Sequence, residues 1–192
     1  ELAAHGAKVL HAEAVEAARR FGVALYARAT QGGGEGTRID RPEGAVRASR
    51  VSGVAGQKNL VRLRARGEGA AAELIAVASG ERLPVQALVA GGEGADLVVQ
   101  LDDVPDWPAV RDRARAKVAG LAIEEGLGAA SVAGDFVGRD GPLIERARAA
   151  AAEAGVTVTG VVTSPLRLTM YCAAGDVDRL VQELHRVLRE SD

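Results

Sequence analysis

Few side chains in this 192-residue chain are spaced for chemistry, and each can be weighed on its own. Lys8 stands in Gly6-Ala7-Lys8-Val9-Leu10-His11, and spacing alone makes it a surface lysine on an amphipathic helix. His5 and His11 are six residues apart, which does not suit a helical i, i+4 metal pair. His185 lies far along the chain and Cys172 is the single cysteine, so no metal site is expected. The glycine-rich run Gln31 to Gly36 follows a strand but leads into another, with no Gly-Lys-Ser/Thr after it, and reads as a plain loop. Arg62, Arg64 and Arg66 alternate to one side of a strand and could meet RNA. Sheets that do so stack bases on aromatic residues, and aromatics are only 3% here, so a solvated face or a dimer-contacting strand is the expectation. No Ser/His/Asp or Cys/His set can be assembled, and no catalytic residue is assigned.

Composition narrows the class. Hydrophobic residues at 47% and charged residues at 26% describe a globular chain with a core. A net charge of -2 supplies no field that would draw it to nucleic acid or to an anionic membrane. No apolar run approaches the roughly 20 residues of a membrane span, and one cysteine rules out an intrachain disulfide, so a cytoplasmic setting is expected.

The elements that must position any site follow from periodicity and punctuation. Apolar residues recur at helical spacing from Leu2 to Phe21, Gly22 ends that helix, and Val23 to Arg28 reads as a short strand. No Met precedes Glu1 and no start signal precedes the helix, so this opening is expected to be the end of a domain cut from a longer polypeptide. A break at Arg41-Pro42 marks a boundary. Val51–Ala55 and Asn59–Arg66 then read as two strands, Gly67–Ser79 as a helix, and Leu83–Val89 with Ala95–Leu101 as a hairpin around Gly91–Gly94. Asp106 caps a helix from Trp107 to about Ala119, with Pro108 in its first turn. The order then recurs: strand 130–136, helix 142–154, strands 156–162 and 166–172, and a last helix after Asp176 whose apolar face is Val177, Leu180, Val181, Leu184, Val187 and Leu188. A βαββαβ repeat of roughly 75 residues implies an α+β fold of two ferredoxin-like units with antiparallel sheets.

Several of these runs resemble the C-terminal part of aspartate kinase. Gly6 to His11 and Gly36-Thr37-Arg38-Ile39 look like the closing helix and strand of its catalytic domain. Val51–Ala55, Lys58-Asn59 and the alternating strand to Gly67 look like the entry into its paired ACT domains, and Thr163-Ser164-Pro165-Leu166-Arg167-Leu168 resembles the hairpin of the second. The resemblance implies residues 1–42 as a catalytic-domain remnant, 46–125 as a first ACT-like unit and 126–192 as a second, with strand 51–55 able to pair with the second. It implies a parent enzyme that uses ATP and Mg2+ to turn L-aspartate into 4-phospho-L-aspartate, the first step toward lysine, threonine and methionine. Lys8 and Val9 would be what remains of its ATP site, and the fragment alone would be inactive, since phosphoryl transfer needs several groups placed together.

The same resemblance implies amino-acid effector sites made from the loop before a helix and the strand after it. In the second unit these are Arg139, Asp140, Gly141 and Pro142 at an open helix N-terminus, with Thr157, Thr163 and Ser164. In the first they are Glu68, Gly69 and Gln86. The chain departs from the family pattern at most of these positions, for Asp140-Gly141-Pro142 replaces His-Pro-Gly, and Pro84, which has no amide N–H, replaces Asn. Lysine, threonine or methionine is the effector class and a homodimer through the ACT units the expected assembly, with neither nucleic acid nor membrane as partner. Two other readings remain: a stand-alone ACT module that senses an amino acid, and a purely structural dimerisation module with no effector.

Overall fold

The computed structural model describes Ala14, Ala18, Phe21 and residues 23–28, 36–39 and 51–189. Ala14, Ala18 and Phe21 are helical, as their spacing predicts. Lys8, Val9, Gly22, the loop from Gln31 to Glu35 and the break at Arg41-Pro42 lie outside the described residues. Strands β1 (Leu25–Ala27) and β2 (Thr37–Ile39) form a two-stranded antiparallel pair.

The rest is one sheet with four helices. In chain order it holds β3 (Val51–Arg66), α1 (Ala70–Gly80), β4 (Val85–Gly91), β5 (Gly94–Gln100), α2 (Trp107–Lys117), β6 (Ala122–Gly134), α3 (Gly141–Glu153), β7 (Gly160–Ser164), β8 (Arg167–Ala173) and α4 (Val177–Arg189). Every pairing is antiparallel, in the order β4-β5-β3-β6-β8-β7, so the fold is α+β and the two βαββαβ units share a single sheet. The segments read as separate strands 51–55 and 59–66 are one strand of 16 residues. Its first part pairs with Ala129–Gly134 and its second lies between β5 and residues 122–127.

Two bulges let one strand serve both units. Between Gln57 and Leu60 the extra residue is on β3, and between Leu127 and Glu124 it is on β6, where Gly126 has φ 73°. An inserted residue resets the alternation of a strand. Lys58 therefore reaches Asp178 on α4, whereas Leu60, two residues on, lies on the helix-free face. All four helices end up on one side of the sheet.

Each pair of helices closes its own core. Leu74 and Val77 of α1 and Val110 and Ala114 of α2 pack on Val61, Leu63, Leu97 and Val99. Leu143 and Ala147 of α3, with Leu180 and Leu184 of α4, pack on Val132, Leu168 and Met170. The Asp106 side chain accepts from the Ala109 amide at the start of α2, and Arg115 and Lys117 in its last turn suit the helix dipole. The last helix buries Val177, Leu180, Leu184 and Leu188, with Val181 and Val187 at the margin, which is the predicted apolar face. Besides β3, the strand starts differ from the sequence reading: β6 begins at Ala122 rather than Ala130, and β7 at Gly160 rather than Val156.

Candidate functional site

The loop that leads from β6 into α3 is held against the β7–β8 hairpin. Val137 is wholly buried and anchors a 3-10 turn, Val137–Arg139. A Cβ on Gly138 would stand 1.8 Å from the Ser164 carbonyl oxygen and 2.6 Å from that of Arg167, so only glycine lets the turn lie against the hairpin. This contact sets the turn that ends at Arg139 against Ser164, and Asp140, Gly141 and Pro142 follow it into α3. Phe136, just before the turn, is 63% exposed with φ 61°, a conformation that is uncommon for a bulky residue and costs energy.

The terminus of α3 is capped rather than open. Asp140 Oδ1 accepts from the Leu143 amide at 3.2 Å and the Asp140 carbonyl from Ile144 at 3.0 Å, while Pro142 has no N–H to offer. A carboxylate already occupies the position where a ligand carboxylate would be drawn. Thr157 is not part of the cluster. It follows the C-terminal end of α3, a helix of 13 residues that spans about 20 Å.

The first unit divides its predicted residues in the same way. Glu68 and Gly69 are exposed at the start of α1, where Gly69 has φ 85° and no side chain caps the helix. Gln86 lies at the other end of α1, as the bulged residue of β4 between Val85 and Ala87. At the Gly69 end a cleft of about 270 Å³ is lined by Arg64, Arg66, Val89, Glu93 and Asp96. Arg64 is not free there: its Nε and Nη2 donate to the two Asp96 oxygens at 2.7 and 2.9 Å. That bidentate bond holds the Asp96 carboxyl below its usual range and raises Arg64.

At the Gln86 end α1 and edge strand β4 form an apolar groove of about 430 Å³ lined by Ile75, Ala78, Leu83, Val85 and Leu88. Ile75 is 51%, Val85 48% and Val89 56% exposed beside a strand with one edge unpaired among the described residues. The sequence did not single out this surface. Its signal is the apolar run of β4, which lacks the alternation of a half-buried strand.

The arginine stripe is solvated at one end and buried at the other. Arg66 is exposed, Arg64 is paired with Asp96, and Arg62 is buried with its guanidinium 5.6 Å from the Tyr171 ring centre. Cys172 is fully buried and its thiol is pushed up to about 11 by burial, and Met170 packs beside it. Among the described residues no group of three His, Cys, Asp or Glu side chains is placed to hold a metal ion, and no helix is long and apolar enough to cross a membrane.

No protein-family model matches the chain, and no curated protein matches it. Solved structures do. The aspartate kinase of Clostridium acetobutylicum, described as an allosteric enzyme, superposes with a TM-score of 0.78 at 15% identity over 97% of this chain and 46% of its own. E. coli aspartokinase III in complex with aspartate and ADP gives 0.76 at 16% identity over 98% of this chain and 44% of its own. The regulatory subunit of aspartate kinase from Thermus thermophilus gives 0.62 at 17% identity, with 72% of this chain covering 98% of that one. The chain thus has the fold of the regulatory part of aspartate kinases and spans under half the length of the full enzymes.

Proposed function

We infer that this chain is the regulatory and dimerisation region of an aspartate kinase. What carries the reading is that residues amounting to 72% of the chain account for 98% of a solved regulatory subunit. The sheet shared by both units supports it, because a shift in one unit cannot leave β3 and β6 of the other in place. Phosphorylation of aspartate with ATP and Mg2+ belongs in this reading to a catalytic domain. The described residues do not fit that pair, since among them no cluster of carboxylates is placed for the metal, and no step of phosphoryl transfer is assigned to them. The chain alone is expected to be inactive and cytoplasmic.

The α1–β4 groove supports dimerisation. A second copy laid antiparallel along β4 would satisfy the unpaired strand edge and cover Ile75, Val85 and Leu88 together. Sedimentation of the chain and of Leu88→Asp tests this, with a dimer expected for the first and a monomer for the second. A monomeric parent chain removes the dimerisation reading.

Lysine, threonine and methionine are the effectors to try, by calorimetry and thermal shift. Heat or stabilisation with one of them supports sensing at the second-unit cluster of Arg139, Thr163 and Ser164. The Asp140 cap favours the second reading, a structural dimerisation module with no effector, for which silence with all three is the expected result.

A further inference from the structure

Arg62 is charged and almost enclosed, with 6% of its side chain exposed. It stands on the helix-free face of β3, next to the bulges that join the two halves of the sheet. Its Nη1 donates to Glu124 Oε2 at 2.9 Å and its Nη2 to Thr159 Oγ1 at 3.4 Å, and the guanidinium lies over Tyr171. Glu124 is its register partner on β6. Thr159 and Tyr171 belong to the other unit, at the entry to β7 and on β8.

That reach is unusual for neighbours in a sheet. In a flat sheet three strand spacings, about 14 Å in all, separate β3 from β7, farther than an arginine side chain spans. The contact means that the helix-free face is curled, and Leu60, Val98, Leu127, Ala129 and Tyr171 form one buried cluster on it. The receiving end is shaped for it. The Thr159 amide donates to the Tyr171 carbonyl at 2.8 Å, and a Cβ on Gly160 would come within 3.3 Å of Arg62 Nη2 and 3.4 Å of the Tyr171 ring.

An apolar side chain of similar length would fill this space without the cost of dehydrating a charge. What arginine adds is direction, because its planar fork and its stacking fix where the partner must be. Strand β7 has five residues and a single neighbouring strand, β8, and is otherwise held by the turn at Gly138 against Ser164 and by Val162 on the helix-free cluster. We propose that Arg62 is the positioning residue that ties edge strand β7 of the second unit to the central strand of the first, so that a displacement of either unit is transmitted through its guanidinium. The purpose of such a link rests on the regulatory reading. The link itself is measured without a ligand, so its failure leaves that reading standing.

Amide hydrogen exchange on the full chain tests it. In Arg62→Met the β7 amides that pair with β8 are expected to exchange about tenfold faster, while those of Leu97 and Val99 in β5 keep their rates. Unchanged exchange in β7, or equal acceleration in β5 and β7, overturns the proposal, the second because it marks a general loss of stability. Arg62→Lys keeps the charge and loses the fork, and is expected to show the same selective effect; wild-type exchange in that variant also overturns it. Should Arg62→Met not fold, Thr159→Val keeps the guanidinium, removes its acceptor and is read in the same way.

Discussion

Two single residues show how closely the helices are seated and how their contacts respond to acid. A Cβ on Gly128 would stand 2.3 Å from Val177 Cγ2, 2.9 Å from the Gln57 carbonyl oxygen and 3.0 Å from Ala174 Cα, so α4 begins directly on the β6 backbone. Gly128→Ala must push the helix outward and is expected to lower stability by about 2 kcal/mol, read as a fall in the urea midpoint. Gly91, with nothing within 4 Å of its would-be Cβ, is the control that alanine should leave unchanged. Glu81 closes α1 onto α2 by accepting from Arg113 and Lys117 at 2.7 and 3.0 Å. Those hydrogen bonds lower its carboxyl from 4.5 to about 2. A depressed carboxylate contributes stability above its unfolded value and loses it as the folded group is protonated. The difference in urea midpoint between wild type and Glu81→Gln should therefore be full above pH 4.5 and vanish as pH falls to about 2.

At the scale of elements, the parts with strong local signals were legible and the parts that serve two partners were not. Helix α2 was readable from Asp106 and Pro108, and α4 from its apolar stripe, because those signals lie within the element. Strand β3 read as two because the bulge at Gln57–Leu60 breaks its alternation, and the break is made by pairing with β6, which no local pattern contains. The sequence reading starts β6 only at Ala130, because Glu124 and Glu125 are poor strand residues on their own. Arg62 takes the first, and Trp107 Nε1 donates to the second at 2.8 Å. The grouping of the α3 loop with Thr163 and Ser164 comes from the resemblance and from no local pattern, and what the geometry adds is the turn at Gly138 lying against the Ser164 and Arg167 carbonyls. The cap was not legible, for Asp140 could face ligand or helix until the geometry was known. Asp140→Ala is expected to cost about 1 kcal/mol as a lost N-cap, seen as a lower thermal midpoint. Asp140→Asn keeps the hydrogen bond to Leu143, removes the charge and should leave that midpoint near wild type. If an effector carboxylate binds here, calorimetry should show it more tightly bound to the Asn variant than to the parent.

Across the whole molecule, the two units have separate helix-side cores but no separate sheets. Leu63, Leu97 and Val110 lie in one core and Leu168, Leu180 and Leu184 in the other, while β3 and β6 run through both. Were the units independent, damage in the second would leave the first folded at its original midpoint. A shared pair of strands makes that costly, because unfolding one unit strips β3 and β6 of half their hydrogen bonds and exposes the cluster of Leu60, Val98, Leu127 and Tyr171 that the curled face encloses. The single tryptophan, Trp107, stands on α2 in the first unit and reports on that unit alone. Leu184 is fully buried in the second, and Leu184→Ala should cost about 3 kcal/mol as a cavity left in a close-packed core. One cooperative transition requires the fluorescence of Trp107 to shift to lower denaturant by the same amount as the circular dichroism of the whole chain. A Trp107 midpoint that stays in place while the circular dichroism splits into two steps would show that the units unfold separately, and would leave the shared sheet unable to carry a signal between them.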